Sequence, residues 1–206
     1  DTERAAADTA LATRASAVAQ QVGPGRLADG TAVPLLANLG SVDKLAEALE
    51  KSAEGVGLFR TEFLFLDSSR APSVEEQQAK YAALLAAFPG RKVVIRALDA
   101  GADKPLSFLN DEPEENPALG LRGLRALRAH ESILRDQLTA ISLANAATNA
   151  DAWVMAPMVS TVEETRYFVS LAKELGLKTA GVMVEVPAAA LLADRILADA
   201  DFASIG

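Results

Sequence analysis

The sequence predicts an α/β fold built on a parallel sheet. Six short apolar runs recur along the 206 residues, helix-type segments separate them, and the runs are continuously hydrophobic rather than alternating. Parallel strands need long crossover connections, which helices supply. Their burial on both faces removes the polar alternation of a half-exposed strand.

Each element has its own signal. Residues 1–20, DTERAAADTALATRASAVAQ, are rich in alanine, the strongest helix former, with a thin apolar stripe at Leu11 and Val18. They predict a helical connector, which GPGRLADG breaks. The chain is therefore divided into a helical linker and connecting turn over 1–30 and a sheet domain over 31–206. TAVPLLANLG supplies the first strand, at about 32–38, and residues 41–51 suit a helix. GVGLF is the second strand. SVEEQQAKYAALLAAF follows as a helix opened by a Ser73 and Glu76 capping box, in which each side chain satisfies a backbone N–H of the other. KVVIRAL is the third strand.

The alternation is then interrupted by residues 99–117, rich in Gly, Pro and acids and longer than an ordinary connection; loops of that kind are usually functional. Helical segments at about 120–128 and 131–147 lead to a fourth strand, WVMAPM. STVEETRYFVSLAKELG reads as a helix with a capping box at Ser160 and Glu163, and AGVMVEV is the fifth strand. Pro187 is placed as the first residue of the helix PAAALLADRILA, and DFASIG is the sixth strand. On pattern alone an eightfold barrel and an open doubly wound sheet both fit. In either, chemistry belongs at the carboxyl ends of the strands.

Composition narrows the function classes. A hydrophobic content of 50% is enough for a sizeable core. The net charge of −8, from 28 acids against 20 bases, disfavours a nucleic-acid surface, which needs clustered Lys and Arg. An anionic ligand would have to be held locally. The absence of cysteine excludes disulfides, thiolate metal sites and thiol nucleophiles, and is compatible with a reducing cytoplasm. No apolar run approaches the roughly 18 residues of a membrane span, and the first residues carry no secretory pattern. The expectation is a soluble cytoplasmic protein with neither nucleic acid nor membrane as partner.

Three arginines stand at strand ends: Arg60 after the second strand, Arg96 at the end of the third, and Arg122 after the long loop, in ENPALGLRGLR. Guanidinium groups are permanent, planar cations whose forks match carboxylate and phosphate oxygens, so three on one rim of an acidic protein predict a small polyanionic substrate. Glu185, ending VMVEV, adds a hard oxygen donor of the kind Mg²⁺ takes while bridging protein carboxylate and substrate phosphate. Each residue also has a plainer reading. Arg60 would pair with Glu62, Glu185 would be structural, His130 would be a surface or cap residue between two helices, and Asp99 and Asp103 would be turn residues around Gly101. GVG lacks the rest of a dinucleotide fingerprint and no Walker pattern is present.

The ordered set GVGLFRTEFLF, VVIRALDAGADKP, EENPALGLRGLR, ILRDQLTAI, APM, VMVEVPAAA and DFASIG closely resembles the phosphoenolpyruvate-binding barrel of Enzyme I of the bacterial sugar phosphotransferase system, over about residues 32–206. The resemblance implies a (β/α)8 TIM-type barrel that binds phosphoenolpyruvate with Mg²⁺ and gives its phosphoryl group to a histidine, from which the carrier HPr receives it for sugar uptake. It further implies that Arg60, Arg96 and Arg122 contact phosphate or carboxylate oxygens, that Glu185 is a metal ligand, and that the barrel forms a homodimer contact. Asn38 matches an asparagine of the first strand end without an assigned role.

In the family a Thr-Asn-Asp segment carrying a second metal carboxylate, and later a cysteine, follow the position of Gly206, while the phosphohistidine domain precedes the barrel. The expectation is thus an incomplete barrel with about six of eight strands, inactive alone. The alternatives are a non-catalytic self-associating module, a domain of the pyruvate phosphate dikinase or phosphoenolpyruvate synthase type, and, more distantly, a carbon-carbon lyase on a related barrel.

Overall fold

The computed structural model describes residue 9 and residues 23–66, 70–101, 106, 108–109, 114–116 and 118–206. The linker helix expected over residues 1–20 falls, apart from Thr9, outside the described residues, as does Asp103.

Six strands form one sheet in the order of the chain: β1 (Ala37–Leu39), β2 (Val56–Phe59), β3 (Lys92–Arg96), β4 (Asp151–Ala156), β5 (Thr179–Val184) and β6 (Ala203–Ile205). Every neighbouring pair is parallel. The order decides between the two architectures left open by the sequence. A doubly wound sheet reverses direction at a switch point. Here each crossover moves one strand further in the same direction, so the helices collect on one face and the sheet curls as an incomplete barrel. β1 and β6 each have a single strand neighbour among the described residues.

The helices are α1 (Leu45–Glu50), α2 (Val74–Ala86), α3 (Leu124–Ala129), α4 (Glu131–Ala146), α5 (Val162–Glu174), α6 (Pro187–Leu191) and α7 (Ala193–Ile196), with 3₁₀ turns at Val42–Lys44 and Glu62–Leu64. Strand periodicity sorts the side chains into two layers. Val93 and Ile95 of β3, Val154 and Ala156 of β4 and Val182 of β5 face the helices, where they join Leu84 and Leu85 of α2, Leu134 and Leu138 of α4 and Phe168 of α5 in the main core. Each such large apolar side chain contributes about 1.5–3 kcal/mol on burial. The intervening residues face inward: Val94, Met155 and Met183 form a separate cluster flanked by Leu58, Trp153 and Phe202. Continuing that alternation by one step places Arg96 above Val94 and Glu185 above Met183, on the inner face at the carboxyl rim.

At three elements the departure from the sequence expectation has a local cause. The first strand starts at Ala37 rather than near residue 32, because Pro34 has no N–H to give and the Leu35 N–H is taken by Glu54 Oε2 at 2.8 Å. The capping box of α5 is Thr161 with Glu164, one residue later than Ser160 with Glu163. Both pairs have the required spacing, and burial decides: Glu164 is 7% exposed. Its carboxylate takes the N–H groups of Ser160 at 2.7 Å and Thr161 at 3.1 Å. The last helical run is split at Leu192 into α6 and α7, with Pro187 opening α6 as expected. The Ser73 and Glu76 box of α2 forms as read.

Candidate functional site

The rim is assembled from the ends of β2, β3, β4 and β5. After β2 the chain enters the 3₁₀ turn with Thr61 and Glu62 buried. The Thr61 hydroxyl donates to the Arg96 carbonyl at 3.0 Å, and the Glu62 carboxylate accepts from Arg96 Nη2. The RTE triplet therefore ties two strand ends together, with Glu62 paired to Arg96 rather than read as the partner of Arg60.

Arg96 itself is 7% exposed. Its Nη1 lies 3.4 Å from Asp99 Oδ2 and 3.6 Å from Met183 Sδ, and its Nε is buried with no hydrogen-bond partner among the described residues. Asp99 is no simple turn residue. At 3% exposure it also takes Arg122 Nε at 3.1 Å and Nη2 at 3.4 Å, so one carboxylate holds two arginines that are 26 positions apart in the chain (122 − 96).

Two glycines allow Arg122 to reach that position. A Cβ on Gly120 would stand 1.8 Å from Glu114 Oε2, the carboxylate that accepts the Leu121 N–H at 2.9 and 3.1 Å and so fixes the chain just before Arg122. Gly123 has φ +56°, and a Cβ there would meet Met158 Cβ and Cγ at 2.9 Å. Met158 is itself left-handed at φ +57°, a conformation that costs a non-glycine residue on the order of 1 kcal/mol or more. Its N–H points at Glu185 Oε1 at 2.8 Å. Arg122, Gly123, Met158 and Glu185 are thus linked in sequence of contact, which joins the arginine half of the rim to the carboxylate.

Arg60 stands apart from this cluster. It is exposed, its guanidinium lies 5.6 Å from the centre of the Phe63 ring, and it borders an open groove of about 530 Å³ with Asn38, Gly40 and Lys44 beside β1. His130 sits at the junction of α3 and α4 with φ −120° and ψ 57°, in the cap position expected. Among the described residues no group of three or more His, Asp or Glu side chains could hold a metal ion, and one oxygen of Glu185 is engaged by the Met158 N–H. The sequence does not mark Asp99, Glu62, Thr61 or Met158 as site residues. The signal for the first two lay in the alternation that puts Arg96 inside a buried layer, where a guanidinium requires carboxylate partners.

A singly wound parallel sheet with a buried arginine and carboxylate cluster on its carboxyl rim defines a barrel-type α/β domain. The chain belongs to the family of phosphoenolpyruvate-binding domains of phosphoenolpyruvate-utilising enzymes, whose profile matches residues 14–206. It is 51% identical over 197 residues to the phosphoenolpyruvate-protein phosphotransferase of Streptomyces coelicolor, covering 95% of this chain and 35% of that protein. The proteins of the same name from Haloferax volcanii and Staphylococcus aureus are 44% and 40% identical, over 87% and 86% of this chain and 34% and 33% of their own lengths. The chain thus spans about a third of the length of these relatives.

Proposed function

We propose that this chain is the phosphoenolpyruvate-binding part of a phosphoenolpyruvate-protein phosphotransferase, with Arg96 and Arg122 as the principal anion-binding groups, Arg60 as a further contact, and residues 31–206 as its barrel portion. The observation that carries the reading is the convergence of Arg96 and Arg122 on Asp99, with Arg96 Nε left unpartnered among the described residues and Glu185 joined to the same rim through Met158. A buried guanidinium N–H without an acceptor costs free energy unless a ligand oxygen supplies one.

Phosphoryl transfer relies on positioning and on electrostatic stabilisation of charge spread over the phosphoryl oxygens. In that work the arginines orient and neutralise the anion. Glu62 and Asp99 keep both guanidinium groups on the inner face, and the methionines 155 and 183 beneath them exclude water. Mg²⁺ is the metal we assign, with Glu185 as one ligand; when bound it would neutralise phosphate charge, and its remaining ligands would be water and substrate oxygens. In the whole protein the phosphoryl group would pass to a histidine and then to HPr in sugar uptake, in the cytoplasm and as a homodimer.

Calorimetry tests the binding step. The chain is expected to bind phosphoenolpyruvate in the presence of Mg²⁺, and Arg122→Met to weaken binding about tenfold or more, the loss of at least one charge-assisted hydrogen bond of roughly 1.5–3 kcal/mol. Absence of binding at millimolar ligand and Mg²⁺, or equal affinities for the two proteins, would overturn the reading.

A further inference from the structure

The segment ILRDQL contains a residue that the rim does not touch directly. Gln137, on α4, is fully buried. Its position answers a backbone problem at the end of β3. The Ala97 N–H still reaches Met155 O on β4 at 2.9 Å, so the Leu98 N–H faces the opposite side, where the chain has already left β2 for its 3₁₀ turn. Leu98 is fully buried, and among the described residues no backbone carbonyl accepts its N–H. Gln137 Oε1 accepts that N–H at 2.9 Å. The next residue is Asp99.

We infer that Gln137 is a positioning residue of the anion site: by holding the Leu98 N–H it fixes the backbone on which Asp99 stands, and through Asp99 the guanidinium groups of Arg96 and Arg122. The inference rests on the phosphoenolpyruvate-binding reading of that site. Three further contacts keep Gln137 from turning its amide. Gln137 Nε2 donates to the Tyr81 oxygen at 3.0 Å, Tyr81 donates to Gln77 Oε1 at 3.4 Å, and Gln77 Nε2 donates to the Pro72 carbonyl at 3.0 Å. Every donor in this chain points the same way, from Leu98 through α4 and α2 to Pro72, so a flipped Gln137 amide would set donor against donor at Leu98. Burial pushes the Tyr81 phenol above its usual range, which keeps its proton in place to donate. Thr61 restrains the same segment from the other side through the Arg96 carbonyl. The backbone from Arg96 to Asp99 is therefore fixed by three neighbours: Thr61, Met155 and Gln137.

The test separates positioning from mere stability. Tyr81→Phe removes the hydroxyl at the far end of Gln137 and leaves the Leu98 bond; it should lower the melting temperature while keeping phosphoenolpyruvate affinity within about twofold of the wild type. Gln137→Asn withdraws the acceptor from Leu98 while remaining polar, and Gln137→Leu removes it. With all proteins held well below their melting points and Mg²⁺ present, either should weaken phosphoenolpyruvate binding about tenfold. In ligand-free NMR spectra the Leu98 and Asp99 amide resonances should move in Gln137→Asn and stay in place in Tyr81→Phe. If Gln137→Leu does not fold, the asparagine variant and its spectra decide. Equal affinity of Gln137→Asn and Tyr81→Phe, or unmoved Leu98 and Asp99 resonances in Gln137→Asn, would overturn the inference. Absence of binding by the wild type would instead overturn the phosphoenolpyruvate reading, and the ligand-free spectra would still judge the link from Gln137 to Asp99.

Discussion

Replacing Arg96 with methionine removes the cation between two carboxylates while keeping most of the side-chain volume. The Glu62 and Asp99 side chains are each 5% exposed, so neither can turn to water without moving the rim. Deleting one partner of a buried ion pair costs about 3–5 kcal/mol, because the remaining charge stays desolvated and uncompensated. Asp99 retains Arg122, so the loss falls mainly on the buried Glu62 carboxylate, which gives up its ion pair with Arg96. For a chain of this length each kcal/mol lowers the melting temperature by about 2–4 °C, giving a drop of roughly 6–20 °C by circular dichroism or calorimetry. The compensating double variant, Glu62→Gln with Arg96→Met, removes the buried carboxylate charge together with its cation and should recover on the order of 1–2 kcal/mol. If Arg96→Met melts within about 2 °C of the wild type, or if the double variant is no more stable than the single one, the cluster is not the buried charge balance described here.

Two more predictions follow from local geometry. Gly123→Ala places a Cβ at 2.9 Å from Met158 on a backbone at φ +56°, and should cost about 1–3 kcal/mol in urea unfolding and also weaken anion binding; full stability and affinity would show that the Met158 link is dispensable. The Glu76 carboxyl is pulled down to about 2 by its hydrogen bond from Arg70 and by the Ser73 N–H, so its contribution is present above its ordinary value of 4.5 and is lost as pH falls toward 2. The melting temperature of Glu76→Gln should therefore lie below that of the wild type at pH 6 and approach it steadily toward pH 3; a gap that stays constant would contradict the assignment.

Much of the scaffold was legible because burial on a parallel sheet leaves a local trace. The apolar runs at Val93 to Ile95 and Val154 to Ala156 announce strands, and their alternation by twos already assigns Arg96 and Glu185 to one face. The apolar content of TAVPLLANLG places the first strand too early, because it does not reveal that Pro34 and the Glu54 carboxylate interrupt the ladder. The α5 cap lies one residue from the sequence expectation because STVEE contains two hydroxyl and acid pairs at the same spacing, and only packing of the helix chooses between them. Contacts across the rim were hidden for a different reason. The pairing of Glu62 with Arg96 depends on the register of β2 against β3, and the Asp99 bridge depends on where a long loop returns; neither quantity is encoded within a window of sequence. The left-handed Met158 has no residue-type signal at all, since that conformation ordinarily selects glycine.

The self-matched charge of the rim changes what binding means. Arg96 and Arg122 are already paired with Glu62 and Asp99, so under the proposed reading an incoming anion would not fill a bare positive hole but would share each guanidinium with a resident carboxylate. Its affinity would then reflect the charge that the guanidinium groups retain beside their carboxylates rather than that of free cations. A singly charged, spherical anion such as chloride gains little from that trade, whereas an anion with several oxygens can engage both forks at once. On a protein carrying a net charge of −8, dissolved salt would also screen the repulsion felt by an approaching polyanion. Under the proposed reading, selectivity at this rim would be set by competition inside the protein before any ligand arrives.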